Sequence, residues 1–134
     1  MSPIAVMCGY LTAQLLAAAL CRVLLRPIPA PEGLPQTFSR WSDPQWMAAI
    51  VIFFLCSFAG GAFTALLSAR KKSANVVAMT VFGGLVQLEL GRLLWGTFIR
   101  PDWASASLVA AYLSGALSGG LIQILLAKKP TAPV

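Results

Sequence analysis

The sequence contains no histidine, and only four of its 134 residues are acidic. The acidic residues are Glu32, Asp43, Glu89 and Asp102. Most protein zinc sites use histidine or clustered cysteine, and most general acid–base pairs use histidine or paired carboxylates. We therefore expect no metal site, no cofactor and no enzymatic activity.

Charge of either sign is also scarce. Charged residues make up 10% of the chain and hydrophobic residues 58%, whereas soluble domains carry about 25% charged residues. An unusually apolar soluble helical bundle is the alternative to a membrane protein. The net charge of +6 comes from basic residues at the ends of apolar runs. Such residues favour anionic lipid headgroups as partners, and not nucleic acid.

Cysteine gives no sign of a disulfide framework. Cys8, Cys21 and Cys56 are odd in number, lie inside apolar runs and form no CxxC motif. We interpret them as small packing residues.

Four apolar runs are long enough to cross a bilayer, which takes about 20 residues of helix. They cover approximately residues 3–25, 46–69, 75–98 and 104–127. Backbone amides in hydrocarbon must pair within their own segment, so the runs should be helices. The first run is too long for a signal peptide and lacks a basic segment before it. The sequence therefore predicts an all-α, polytopic membrane protein, with four transmembrane helices in a single domain over 1–134.

Two similar phrases indicate an internal repeat. GGAFTALLSARKK begins at Gly60 and GGLIQILLAKK begins at Gly119. The simplest account is a tandem copy of a two-span hairpin, with repeat one at about 1–72 and repeat two at about 73–134. An even number of spans in each copy gives both copies the same orientation, a parallel repeat. The alternative is chance similarity between glycine- and leucine-rich helices.

The ends of the runs carry different residues. Lysines lie at one membrane edge: Lys71, Lys72, Lys128 and Lys129. Tryptophans lie at the other and are the expected interface anchors: Trp41, Trp46, Trp95 and Trp103. The positive-inside rule places the lysine edge in the cytoplasm. We therefore expect a protein of the cell membrane, namely the bacterial inner membrane, with both termini cytoplasmic.

Small residues recur at four-residue spacing, which places them on one helix face. The predicted helix-packing glycines are Gly9, Gly60, Gly61, Gly115, Gly119 and Gly120. Helices in lipid associate through such close-packing residues. Span four carries a second small row of Ala106, Ala110, Ser114 and Ser118. That row either helps to close the bundle or contacts a second subunit or a partner protein.

Polar residues inside two spans form the candidate intramembrane site. Span three contributes Gln87, Glu89 and Arg92, and span one contributes Gln14 and Arg22. An ionisable group within a membrane suggests a functional site. Three roles remain open: an internal salt bridge between spans one and three, ion or proton coupling by Glu89, and contact with a partner subunit.

Two functions from different classes fit these features. The first is a non-catalytic subunit or assembly factor of a larger membrane complex, which binds other membrane subunits. The second is a minimal ion or small-solute transporter or channel, which works as a homo-oligomer with Glu89 as its coupling acid.

Overall fold

The computed structural model describes residues 2–26, 28–29, 39–94, 98–99 and 102–128. Four helices dominate it: α1 Pro3–Leu24, α2 Asp43–Leu67, α3 Lys72–Leu94 and α4 Asp102–Ala127. Three strands of two residues each lie in the connections: β1 Ile28–Pro29, β2 Ser39–Arg40 and β3 Phe98–Ile99. The predicted helical architecture is confirmed.

The short strands link the two connections on one side of the bundle. β1 pairs with β2 in antiparallel fashion, and β2 pairs with β3 in parallel. Local sequence patterns do not predict this pairing. Most of the proline-rich connection between α1 and α2 lies outside the described residues.

Three of the helices within the described residues are long and apolar enough to cross a membrane: α1, α2 and most of α4. The helix α3 does not reach the same hydropathy. Its sequence includes Lys72, Asn75, Gln87, Glu89 and Arg92, which lower its mean hydropathy. That α3, the predicted span three, crosses the membrane therefore stays a prediction.

Local sequence explains where α1 and α2 begin. Ser2 caps α1, because its hydroxyl accepts a hydrogen bond from the Ala5 amide (3.4 Å), and Pro3 occupies the first turn. Gln45 accepts from the Ser42 amide (2.8 Å) at the start of α2. Proline is favoured in a first helical turn, and caps of this kind satisfy otherwise unpaired amides. The cap makes α2 start at Asp43, before the predicted boundary at residue 46.

The contacts between helices set their directions. Gly115 of α4 packs on the Phe54 carbonyl and Gly119 on the Phe58 carbonyl, so α2 and α4 run in the same direction. A hydrogen bond from the Ser2 amide to the Asn75 side chain (3.0 Å) lies at the start of both α1 and α3. The rings of Tyr10 and Phe82 meet further along these two helices. Hence α1 and α3 also run in the same direction.

The pair α1 and α3 runs opposite to the pair α2 and α4. Gly60 of α2 packs on both Gly9 and Ala13 of α1, whereas Trp46 shares a cluster with Cys21. This alternation brings Ser2, Lys71 and Lys128 to one end of the bundle, called here the lysine end. The opposite end, which contains Trp46 and Trp103, is called the tryptophan end.

Buried side chains form three clusters along the bundle. The cluster at the tryptophan end contains Trp41, Trp46, Phe53 and Ala104 among others. The middle cluster comprises Val6, Tyr10, Ala13, Met79, Tyr112 and Ala116. The cluster at the lysine end comprises Ala65, Val76 and Ile124. The core therefore extends along the whole length of the bundle.

A buried hydrogen-bond network joins three helices at the lysine end. Asn75 is fully buried, and its amide nitrogen donates to the Ser68 hydroxyl (2.7 Å) and to the Arg70 carbonyl (3.5 Å). Its side-chain oxygen accepts from the Ser2 amide (3.0 Å). The Ser68 hydroxyl in turn donates to the Thr64 carbonyl (2.7 Å). Asn75 thus ties the start of α1 and the end of α2 to α3.

Candidate functional site

The polar residues of α3 lie on opposite sides of the helix. The residues of its inner side are buried: Asn75, Val76, Met79, Thr80, Gly83 and Gly84. Gln87 is half-buried and continues this side one turn further on, whereas Glu89 is exposed. Residues two positions apart differ by about 200° around a helix. The predicted site is therefore divided between the bundle interior and its outer surface.

Gln87 carries an unsatisfied polar atom. Its side-chain Nε2 is buried and has no hydrogen-bond partner. It lies one turn beyond Gly83, where Tyr10 of α1 and Tyr112 of α4 converge on the glycine. A buried amide without a partner is destabilising, because it loses its bonds to water.

Gln14 lies at the same level of the bundle. The bonded pair Ser2 and Asn75 is separated by 73 residues along the chain. The same offset relates Gln14 to Gln87, and both residues are half-buried. The interior part of the predicted site is thus an uncharged pair of amide residues on α1 and α3.

The charged residues occupy the outer surface. Arg22, in the last turn of α1, is exposed like Glu89, and no ion pair joins the two side chains. The internal salt bridge considered from the sequence is therefore not formed by Arg22. The side chain of Arg92 lies outside the described residues, so its part in the predicted site stays a prediction.

The predicted packing glycines lie at close contacts between helices. Gly9 faces Gly60 and Thr64, Gly120 faces Val76, and Gly115 faces Phe54. At the α2–α4 contact, one glycine of each helix packs on a backbone carbonyl of the other. Gly61 of α2 packs on the Ala116 carbonyl, and Gly119 of α4 packs on the Phe58 carbonyl. A side chain at these positions would prevent the backbones from approaching.

The tryptophans at the tryptophan end have different environments. Trp41 and Trp46 are buried and form an edge-to-face pair with ring centroids 4.8 Å apart. Trp103 is 42% exposed, and Trp95 lies outside the described residues. Packing of one indole on the other explains why two expected interface anchors are buried. Contact of Trp103 and Trp95 with headgroups stays a prediction.

Sequence reasoning missed two structural polar residues. Neither Asn75 nor Tyr112 is among the site residues that the sequence predicts. The Tyr112 hydroxyl donates to the Met79 carbonyl (3.0 Å) in the middle cluster. Their polar character within apolar runs was the available signal, because a buried polar group requires a partner.

An open groove lies between α2 and α4 on the outer surface. Its volume is about 530 Å³, and it is lined by Ile50, Val51, Phe54, Ser107, Ala110, Ala111 and Ser114. Three members of the second small row of α4 are exposed beside it: Ala106, Ala110 and Ser114. Ser118 is half-buried. The α2–α4 groove is therefore a surface of small and apolar residues.

The described residues contain no group of three or more histidine, cysteine or acidic side chains placed to hold a metal ion. Comparison with family models, curated proteins and solved structures finds no match to this chain.

Proposed function

We propose that this chain is a non-catalytic subunit or assembly factor of a larger membrane complex. The observation that carries the proposal is the exposed small row of α4 beside the α2–α4 groove. Ala106, Ala110 and Ser114 present a flat surface to the surroundings of the bundle. A transmembrane helix of another subunit would fit against such a surface.

The other small rows of the chain support this reading. Gly9 packs on Gly60, and Gly119 packs on α2 at Phe58. These rows are already used for contacts within the bundle. In lipid, small residues promote association by allowing close van der Waals packing. An uncovered row of the same kind favours a contact with another chain.

The proposal includes the finer topology expected from the sequence. All four helices would span the bacterial inner membrane as two parallel repeats, with cytoplasmic termini beside anionic headgroups. In support, the corresponding helices of the two repeats point in the same direction: α1 is parallel to α3, and α2 is parallel to α4. Gly61 and Gly119, one from each repeated phrase, make reciprocal contacts across the α2–α4 interface. Lys71, Lys72 and Lys128 lie together at the lysine end.

Gentle detergent extraction followed by native mass measurement tests the assignment. We expect unrelated chains to co-purify with the wild-type protein. Ala110→Leu should reduce their recovery by about tenfold, because a large side chain would hold a partner helix away from the small row. Ala59→Leu is the matched control, since Ala59 is exposed on α2 and does not line the groove. A complex that is lost equally in both variants, or that never forms, would contradict the proposal.

The alternative is a minimal transporter or channel that works as a homo-oligomer. The exposure of Glu89 on the outer surface of the bundle favours this homo-oligomeric transporter or channel. A coupling acid at that position would face a pathway shared between copies.

The alternative predicts loss of function for Glu89→Gln. This substitution keeps the shape of the side chain and removes its titratable group. If Glu89 couples transport, the neutral variant should lose more than about 90% of activity, because proton transfer through that carboxyl would be impossible. Growth of a dependent strain, or solute uptake, measures the effect. Unchanged uptake and growth would eliminate Glu89 as a coupling acid.

A further inference from the structure

Two opposite charges are exposed on the outer surface of neighbouring helices. Arg22 lies on α1 and Glu89 on α3, and the two do not pair with each other. Charged side chains are rarely left facing lipid, and they usually pair or reach a polar phase. A binding partner that neutralises both side chains must therefore carry one negative and one positive group.

The two charges lie towards the same end of the bundle. The offset of 73 residues between α1 and α3 puts Glu89 level with Leu16. Arg22 is six residues further towards the tryptophan end, which corresponds to about 9 Å along the helix. A long arginine stem can extend along apolar surface while its guanidinium group seeks a polar partner.

The surroundings of the charges are apolar. On α1, Leu11 and Leu15 are exposed on the same side as Arg22. On α3, Val81 and Leu85 precede Glu89 at four-residue steps and are also exposed. We call these residues, together with Arg22 and Glu89, the α1–α3 outer face. It combines an apolar centre with one positive and one negative group.

We propose that the α1–α3 outer face binds a second copy of this chain, with Arg22 of each copy paired to Glu89 of the other. The argument is charge complementarity, because one face carries both members of the pair. A two-fold interface is self-complementary, so each ion pair occurs twice. We place the two-fold axis along the bundle, so that both copies keep one orientation in the membrane and the long arginine stem spans the axial distance between Arg22 and Glu89. The inference rests on the four-span topology of the proposed function and not on the role as a subunit.

Charge reversal tests the pairing. Arg22→Glu alone and Glu89→Arg alone should each weaken self-association in lipid vesicles by at least about tenfold, because like charges would then face each other. Single-molecule subunit counting gives the fraction of dimers. Arg70→Glu is the control, since Arg70 is exposed at the lysine end, away from this face. Its dimer fraction should match the wild type.

Mixing the two single variants gives the decisive result. A copy with Arg22→Glu and a copy with Glu89→Arg present complementary charges to each other at both contacts. Differently tagged chains should therefore associate with each other at the wild-type level, although neither variant associates with itself. An ion pair within one chain could not be restored by mixing. Thermal unfolding of each variant in detergent confirms that it is folded.

Three outcomes would overturn the inference. They are a wild-type protein that is monomeric in vesicles, single variants that still form dimers, and mixed variants that fail to associate. Binding of Arg22 to lipid phosphate, or of Glu89 to a basic residue of another protein, would produce one of these outcomes. Unrelated chains recovered equally with the wild type and with these variants would leave the proposed function intact while the dimer failed.

Discussion

Gly119→Ala is expected to lower the free energy of unfolding by about 3 kcal/mol, at the upper end of the usual cost of overpacking. The added methyl group would overlap the carbonyl oxygen, the carbonyl carbon and the Cα of Phe58. Because those atoms belong to the backbone of α2, the clash can be relieved only by moving one helix away from the other. Unfolding in mixed micelles with increasing denaturing detergent measures the change.

Gly84→Ala is the matched control. A methyl group there would come within 2.9 Å of a terminal carbon of Leu113, at the flexible end of a side chain. Both glycines are inside helices, so each substitution gains a similar helix propensity of up to about 1 kcal/mol. We expect Gly84→Ala to be neutral or slightly stabilising. Equal losses of stability in the two variants would contradict the close α2–α4 contact.

Asn75→Ala is expected to destabilise the protein by about 3 kcal/mol, because it removes buried hydrogen bonds and leaves their partners unsatisfied. The partners are the Ser2 amide, the Ser68 hydroxyl and the Arg70 carbonyl. The start of α1 should also loosen, since Asn75 holds the chain there. Hydrogen exchange at the amides of residues 2–6, together with detergent-induced unfolding, reports both effects.

Ser73→Ala provides the comparison for Asn75. Ser73 lies in the same first turns of α3 but is exposed. Its loss should change stability by less than about 0.5 kcal/mol, as is usual for surface positions. If Asn75→Ala left exchange at the start of α1 unchanged, the network would not be what fixes α1 to α3.

Local spacing was enough to place the small rows. Gly60 and Thr64 share one side of α2, and Gly61 lies on the adjacent side because the helical period fixes which positions share a side. The sequence alone could not say which row meets which helix. In the structure, Gly60 and Thr64 face α1, and Gly61 faces α4.

The sequence did not predict which polar residues of α3 face the interior of the bundle. Gln87 and Glu89 are two residues apart in the chain, and the sequence predicts both as members of one intramembrane site. The structure turns Gln87 inwards and Glu89 outwards. Which side of α3 is buried depends on the position of α1 and α4, and no property of α3 alone determines it.

The sequence by itself determined that the chain is helical and apolar, and it determined which ends of α2, α3 and α4 lie beside lysine or tryptophan. These features follow from composition and from spacing along one helix, both of which are local. Only the tertiary structure decided that α2 and α4 meet through glycine, that Asn75 joins three helices, and that Arg22 and Glu89 are exposed and do not pair. These features depend on the arrangement of residues that are distant in the chain, which local periodicity does not encode.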